Sequence, residues 1–169
     1  MFYGFIGKML ILSIQIAMAN VVFGSDVAVF AEAEEFSNRL AGGFQALGVG
    51  KGDRVCFFMG NLPEMVLMCL ALNKLGAIWV PICTDYKGEW LLQTIQRSEP
   101  KLLVTDREHA ARLGEVLEQL PPLPVIALGG SEAGLPDAID YQSVLAHPPL
   151  RADYSQHHYS DTCAILWTS

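Results

Sequence analysis

The run G-K-G-D-R-V-C-F-F-M-G-N-L-P-E-M-V-L-M-C-L-A-L-N-K-L-G-A-I-W-V-P-I, residues 50–82, decides the fold. Residues 55–59 are a continuous apolar run of strand length, the pattern of a strand buried on both faces. Asn61-Leu62-Pro63-Glu64 reads as a helix start, with a capping residue and a proline in the first turn. Between Glu64 and Lys74 no charge occurs, so the segment 65–72 must be covered on most sides. Gly76 closes that helix, and residues 77–82 form a second buried run. Strand, helix and strand within this length predict a right-handed parallel crossover unit.

Outward from this unit the same alternation continues. Upstream, Phe36, Leu40, Phe44 and Leu47 recur on one face of an amphipathic helix over 31–47, with Glu32, Glu34, Glu35, Asn38, Arg39 and Gln45 elsewhere. Gly42 and Gly43 each weaken this helix by about 1 kcal/mol relative to alanine, so close packing against a neighbour must hold the segment. Gly48-x-Gly50-x-Gly52 lies after a helix and before a strand, the reverse of the order in which a phosphate loop works, and is read as a turn. Downstream, a helix is expected over 87–97, a strand over 101–105, a helix over 107–120 capped by Asp106, and a strand over 123–128. Residues 129–140 read as a loop, 138–146 as a short helix, 147–160 as a polar connection, and 163–167 as one more buried strand leading into Thr168-Ser169. The pattern is that of an α/β fold with a mostly parallel sheet. Such folds place their chemistry in loops after the carboxyl ends of the strands.

Composition narrows the function. The 169 residues are 51% hydrophobic and 17% charged, enough for one sizeable core. A net charge of -7 makes the long-range field repel nucleic acid, so no nucleic-acid partner is expected. Cys56, Cys69, Cys83 and Cys163 lie inside apolar runs without a C-x-x-C pair, which predicts small buried hydrophobes in a reducing compartment and no metal site. His157 and His158, near Asp153 and Asp161, point to opposite sides of an extended chain and are read as a solvated linker. Leu128-Gly129-Gly130-Ser131 is read as a surface loop, Trp79 and Trp90 as core or interface residues, and Met65 and Met68 as core fillers. Lys8, the apolar run 9–16 and Ala17-Met18-Ala19 have a signal-peptide-like form. Gln15 interrupts that run and it is too short to span a bilayer, so a cytoplasmic protein without a transmembrane span is expected, with secretion as the alternative.

Five blocks carry a family resemblance. They are F-A-E-A-E-E-F-S-N-R-L-A-G-G-F-Q-A-L-G-V-G-K-G-D-R-V from Phe30, G-N-L-P-E from Gly60, N-K-L-G-A-I-W-V-P-I from Asn73, Y-K-G-E-W-L-L from Tyr86 and D-T-C-A-I-L-W-T-S from Asp161. In this order and spacing they resemble the adenylate-forming superfamily, and within it the fatty-acyl and carnitine-type CoA ligases. The resemblance implies an atypical apolar segment over 1–20 and, over 21–169, the N-terminal part of an AMP-binding domain that stops at the start of the phosphate loop. It implies an incomplete portion of the family's large domain, with its sheet edge exposed to self-association.

In that family a carboxylate attacks the α-phosphorus of ATP, pyrophosphate leaves, and the thiol of coenzyme A displaces AMP from the acyl-adenylate. The family continues from T-S into G-T-T-G-x-x-K-G, whose main-chain donors cradle the ATP phosphates with magnesium. Only Thr168 and Ser169 match that site here, so the resemblance implies ATP, Mg and CoA for the parent enzyme and none bound tightly by this chain alone. The parent is an acid-thiol ligase acting on a small-molecule carboxylic acid, and no catalytic or metal-binding residue is assigned in this chain. Val29 stands where the family has the threonine of a T-Y-x-E helix cap, which predicts about 1 kcal/mol less helix stabilisation. Two other readings remain: another adenylate-forming enzyme, for aryl or amino-acid substrates, and a non-catalytic relict that binds a partner.

Overall fold

The computed structural model describes residues 27–151, 155 and 157–167. The segment 1–20, Asp153, Thr168 and Ser169 lie outside the described residues. The elements run α1 (Val27–Ala46), β1 (Arg54–Phe58), α2 (Pro63–Leu75), β2 (Ile78–Pro81), α3 (Gly88–Ser98), β3 (Leu102–Thr105), α4 (Arg107–Leu117) and β4 (Val125–Ala127). A 3-10 turn (Gly130–Ala133), β5 (Ile139–Asp140) and α5 (Tyr141–Leu145) follow. The strands form one sheet in the order β2-β1-β3-β4-β5, parallel throughout.

Side-chain alternation along the strands builds two cores. Val55, Phe57, Leu102, Val104 and Ile126 enter the core under α1, α2 and α5, with Leu40, Phe44, Met68, Leu72 and Val144. Cys56, Phe58, Leu103, Val125 and Ala127 enter the core under α3 and α4, with Leu91, Ile95, Ala110 and Leu113. Two-sided burial explains why β1 and β3 read as unbroken apolar runs. Gly76 is the left-handed cap (φ 66°) that turns α2 into β2, as the sequence predicts.

The two glycines inside α1 have a steric reason. A Cβ on Gly42 would lie 2.2 Å from the Pro148 carbonyl oxygen, and one on Gly43 would lie 2.4 Å from that of Val144. Alpha-helix α1 is therefore seated directly on α5 and the chain that follows it. A buried ammonium locks α1 to α2: Lys74 Nζ lies 2.9 Å from Glu34 Oε2 and donates to Ser37 Oγ at 2.8 Å and Asn38 Oδ1 at 2.7 Å.

Several expectations need correction. The cap of α2 is the backbone of Leu62, with no side-chain bond, so Asn61 is not the capping residue. Val29 lies inside α1, which starts before it, so Val29 is not a cap position. Alpha-helix α4 ends at Leu117, three residues early, as Pro121 approaches; the short strand β5 precedes α5 where only a helix is expected. Residues 163–167 are not a buried strand: they make one parallel bridge, Ala164 to Trp79, and Leu166 is 60% exposed. Trp90 is 73% exposed, so it is not a core residue, because Leu91, Leu92 and Ile95 take the inward face of α3. Cys56 and Cys69 are buried as expected, but Cys83 is exposed and Cys163 half-buried.

Replacing Gly43 with alanine sets helix propensity against contact. Propensity alone would stabilise α1 by about 1 kcal/mol. The clash with Val144 backbone outweighs it, and G43A is expected to lower unfolding free energy by about 1–3 kcal/mol in a urea titration. A stabilised G43A protein would contradict the close seating of α1 on α5.

Candidate functional site

The carboxyl edge of the sheet is where a parallel α/β fold presents its loops. Here it is organised by one carboxylate. Beta-strand β3 ends at Thr105, and the next residue, Asp106, caps α4 by accepting the His109 backbone N–H at Oδ1, 2.9 Å away. The same oxygen lies 2.6 Å from His109 Nδ1, and Oδ2 accepts the Gly60 N–H at 2.8 Å. Asp106 thus ties the end of β1 to the start of α4. Thr105 Oγ1 donates to the Phe58 carbonyl at 2.9 Å, and the His109 ring stands edge-on to Phe58 at 5.6 Å. On the next turn of α4, Arg112 donates to the Thr84 carbonyl and holds the loop between β2 and α3.

Burial alone would push the Asp106 carboxyl up; the bonds from Gly60 and His109 outweigh it and hold the group below its ordinary value. Both carboxylate oxygens are occupied, so Asp106 serves the frame of this edge. Sequence reasoning found Asp106 as a cap and missed Gly60 and His109 as its partners. The D-x-x-H spacing at a helix start was the signal for His109; nothing local signals Gly60, 46 positions away.

The predicted site residues Thr168 and Ser169 follow directly on a segment held at the other end of this edge. Residues 163–165 run beside β2: the Trp79 N–H donates to the Cys163 carbonyl at 3.0 Å, and the Ile165 N–H to the Trp79 carbonyl at 3.2 Å. Ile165 and Trp167 pack on the core under α3, whereas Leu166 faces outward. Trp167 Nε1 donates to Ser98 Oγ at 3.0 Å. Beside it opens a groove of about 670 Å³ whose walls include Tyr86, Lys87, Trp90, Arg97 and Trp167.

Other candidates separate. His157 Nε2 lies 3.2 Å from the Asn73 carbonyl oxygen, whereas His158 Nδ1 lies 2.7 Å from Ser160 Oγ, so the two rings diverge as expected. Among the described residues no group of His, Cys, Asp or Glu could hold a metal ion, and no helix is long and apolar enough to cross a membrane. Burial pushes the Cys56 thiol up to about 12, which removes it as a nucleophile at neutral pH. The 48–52 segment is a turn, as read from the sequence, whereas 128–131, read as a surface loop, includes the first two residues of the 3-10 turn, with Gly130 buried.

Comparison with known proteins agrees with this geometry. A family model described as AMP-binding enzyme matches residues 17–169. The crotonobetaine/carnitine–CoA ligase of Salmonella typhimurium is 32% identical over 149 residues, covering 83% of this chain and 28% of that protein. Its counterpart in Salmonella enteritidis is 33% identical over 150 residues, with the same coverage. Among solved structures, Brucella canis acyl-CoA synthetase superposes with a TM-score of 0.66 at 27% identity, over 83% of this chain and 26% of that one. The fold is also shared with a fatty acyl CoA synthetase of Mycobacterium tuberculosis, at a TM-score of 0.71 and 24% identity over 83% of this chain and 27% of that one. This chain thus spans 28% of the length of the curated relatives it matches.

The Asp106 node generates a pH prediction. A carboxyl held below its ordinary 3.8 contributes stability that is present above that value and lost as pH falls through the depressed one. D106N keeps one acceptor but turns an amide donor toward Gly60 or His109. It is expected to cost about 1–3 kcal/mol at pH 7 and to flatten the acid limb of a stability-against-pH curve below pH 4. An acid limb identical to that of the wild type would remove Asp106 as its source.

Proposed function

Because this chain belongs to the AMP-binding enzyme family, we propose that it is the amino-terminal part of an AMP-forming acyl-CoA synthetase. The parent reaction joins a carboxylic acid to coenzyme A through an acyl-adenylate, with ATP giving AMP and pyrophosphate. The carnitine-type ligases named among its relatives, and its resemblance to them and to fatty-acyl ligases, make a small carboxylic acid the proposed substrate.

The observation that carries this reading is the segment 163–165, set parallel beside β2, which precedes Thr168 and Ser169 in the sequence. In the family resemblance those two residues open the loop whose main-chain donors meet the ATP phosphates. A hydroxyl pair at that point would bind phosphate oxygens, and the glycines after it would let the backbone approach. The sequence contains no G-T-T-G-x-x-K-G run. On this reading the chain by itself is expected to be inactive. Trp90 and Leu166 are both exposed large apolar side chains, which supports the further reading that the chain by itself self-associates.

The test compares this chain with the same sequence extended to the length of its relatives. The longer protein is expected to release pyrophosphate with ATP and a member of a panel of betaines and fatty acids, and to form the CoA thioester when coenzyme A is added. The chain alone is expected to release none and to elute larger than a monomer. Steady ATP- and acid-dependent pyrophosphate release by the chain alone would overturn its inactivity. Adenylation without transfer to coenzyme A would redirect the reading to another adenylate-forming enzyme.

A further inference from the structure

Alpha-helix α3 buries one face and leaves the opposite one open. Leu91, Leu92 and Ile95 enter the core, and Ser98 is buried beside them. At about 3.6 residues per turn, Trp90, Gln93 and Arg97 fall on the reverse side. All three are exposed, Trp90 by 73%. Within one copy of the chain the Trp90 ring meets only that of Tyr86, 6.5 Å away between centroids and tilted by 42°. Around these two rings lies the groove of about 670 Å³ that Lys87, Arg97 and Trp167 also line.

The charges on this helix are ordered along it. Glu89 stands in the first turn and Arg97 in the last. Among the described residues Glu89 Oε1 accepts the Gln93 side-chain amide at 2.7 Å, and Arg97 makes no ion pair. Gln93 lies midway, four positions from each. An antiparallel copy of the helix crossing at Gln93 therefore brings Glu89 of each copy level with Arg97 of the other, and sets each Trp90 over the groove of its partner. The pattern matches its own reverse, as a twofold contact requires. With a net charge of -7, two copies repel at long range, so a contact between them needs local pairs of opposite charge. This face supplies two. The sheet edges are poorer surfaces for a second copy. On β2 the N–H and carbonyl of Trp79 are already bonded to Cys163 and Ile165, and Pro81 has no N–H. At the other edge β5 is two residues long.

We propose that the outer face of α3 is a docking surface for a second copy of this chain, packed antiparallel about a twofold axis at Gln93. The inference rests on the self-association reading and deepens it, naming the element, the partner and a closed pair in place of open aggregation. Trp90 is the apolar anchor, and Arg97 of the other copy can lie over the indole face as well as beside Glu89. The 11 residues of α3 span about 16 Å, so the contact is smaller than a permanent interface and the pair dissociates on dilution.

The test is made on this chain by sedimentation velocity over a concentration series. The wild-type chain is expected to show a monomer–dimer equilibrium. W90A, E89R and R97E are each expected to weaken it about tenfold or more, because each substitution counts twice across the axis. The double variant E89R/R97E restores opposite charges and is expected to return the dissociation constant to within about threefold of wild type. An equimolar mixture of E89R and R97E chains is expected to form a mixed dimer tighter than either chain forms with itself. Both reversals oppose the helix dipole, so damage to folding, read as a urea midpoint, adds up in the double variant while the effects on pairing cancel. Single variants that associate like wild type, a double variant no better than the singles, or growth past the dimer that W90A leaves in place would each overturn this surface and leave self-association standing. A wild-type chain that stays monomeric at every concentration would remove the self-association reading and this surface with it.

Discussion

Beta-strand β1 has water on no side. Its edges are hydrogen-bonded to β2 and β3, Val55 and Phe57 point into one core, and Cys56 and Phe58 into the other. A strand so placed imposes everything around it. Two-sided burial requires a helix layer on each face, parallel neighbours require crossovers long enough to hold those helices, and the crossovers bring every strand's carboxyl end to one edge. The site is located by that constraint before any side chain of the edge is considered.

The helix layers are then fixed by polar groups that are costly to leave unpaired. Lys74 is buried within the interface of α1 and α2 and satisfied by Glu34, Ser37 and Asn38. Removing one partner of such a group leaves a buried ammonium donor short of an acceptor, a loss of about 1–3 kcal/mol. Asp106 plays the corresponding part at the carboxyl edge, where three donors converge on one carboxylate. These nodes resist sliding, whereas the apolar cores alone would tolerate it. Close seating at Gly42 and Gly43 adds a steric stop in the same layer.

The parts of this architecture legible in the sequence are those written as periodicity. Apolar runs at 55–59 and 101–105, the uncharged helix between Glu64 and Lys74, the glycine pair in α1 and the Asp106 cap all report burial or backbone shape, which neighbouring residues reveal. Partners distant in sequence are not written that way. Lys74 reads as the end of an apolar stretch, and nothing local says that it is buried against Glu34. Trp90 reads as core or interface because it is large and apolar, yet α3 has only one inward face and Leu91, Leu92 and Ile95 fill it, so Trp90 is not core. Residues 163–167 show the continuous apolar run of a buried strand but not the number of hydrogen bonds it makes, which depends on a partner distant in sequence. Of the site, the sequence names Thr168 and Ser169 through family resemblance, while Ser98 and Gly60 emerge only from the fold.

Rigidity is therefore graded across the molecule. The node at Asp106 and the five-stranded sheet are held by many mutually supporting bonds, so no single thermal excursion opens them. The lead-in to Thr168 hangs from two main-chain bonds at Trp79 and one side-chain bond at Ser98. Such a lead-in is firm in direction but has little backbone pairing to break. A fully paired strand through residue 167 would hold it more tightly. A segment without the indole anchor would leave its direction unspecified. The observed arrangement lies between these limits, which is the physical reason to look for function at its end.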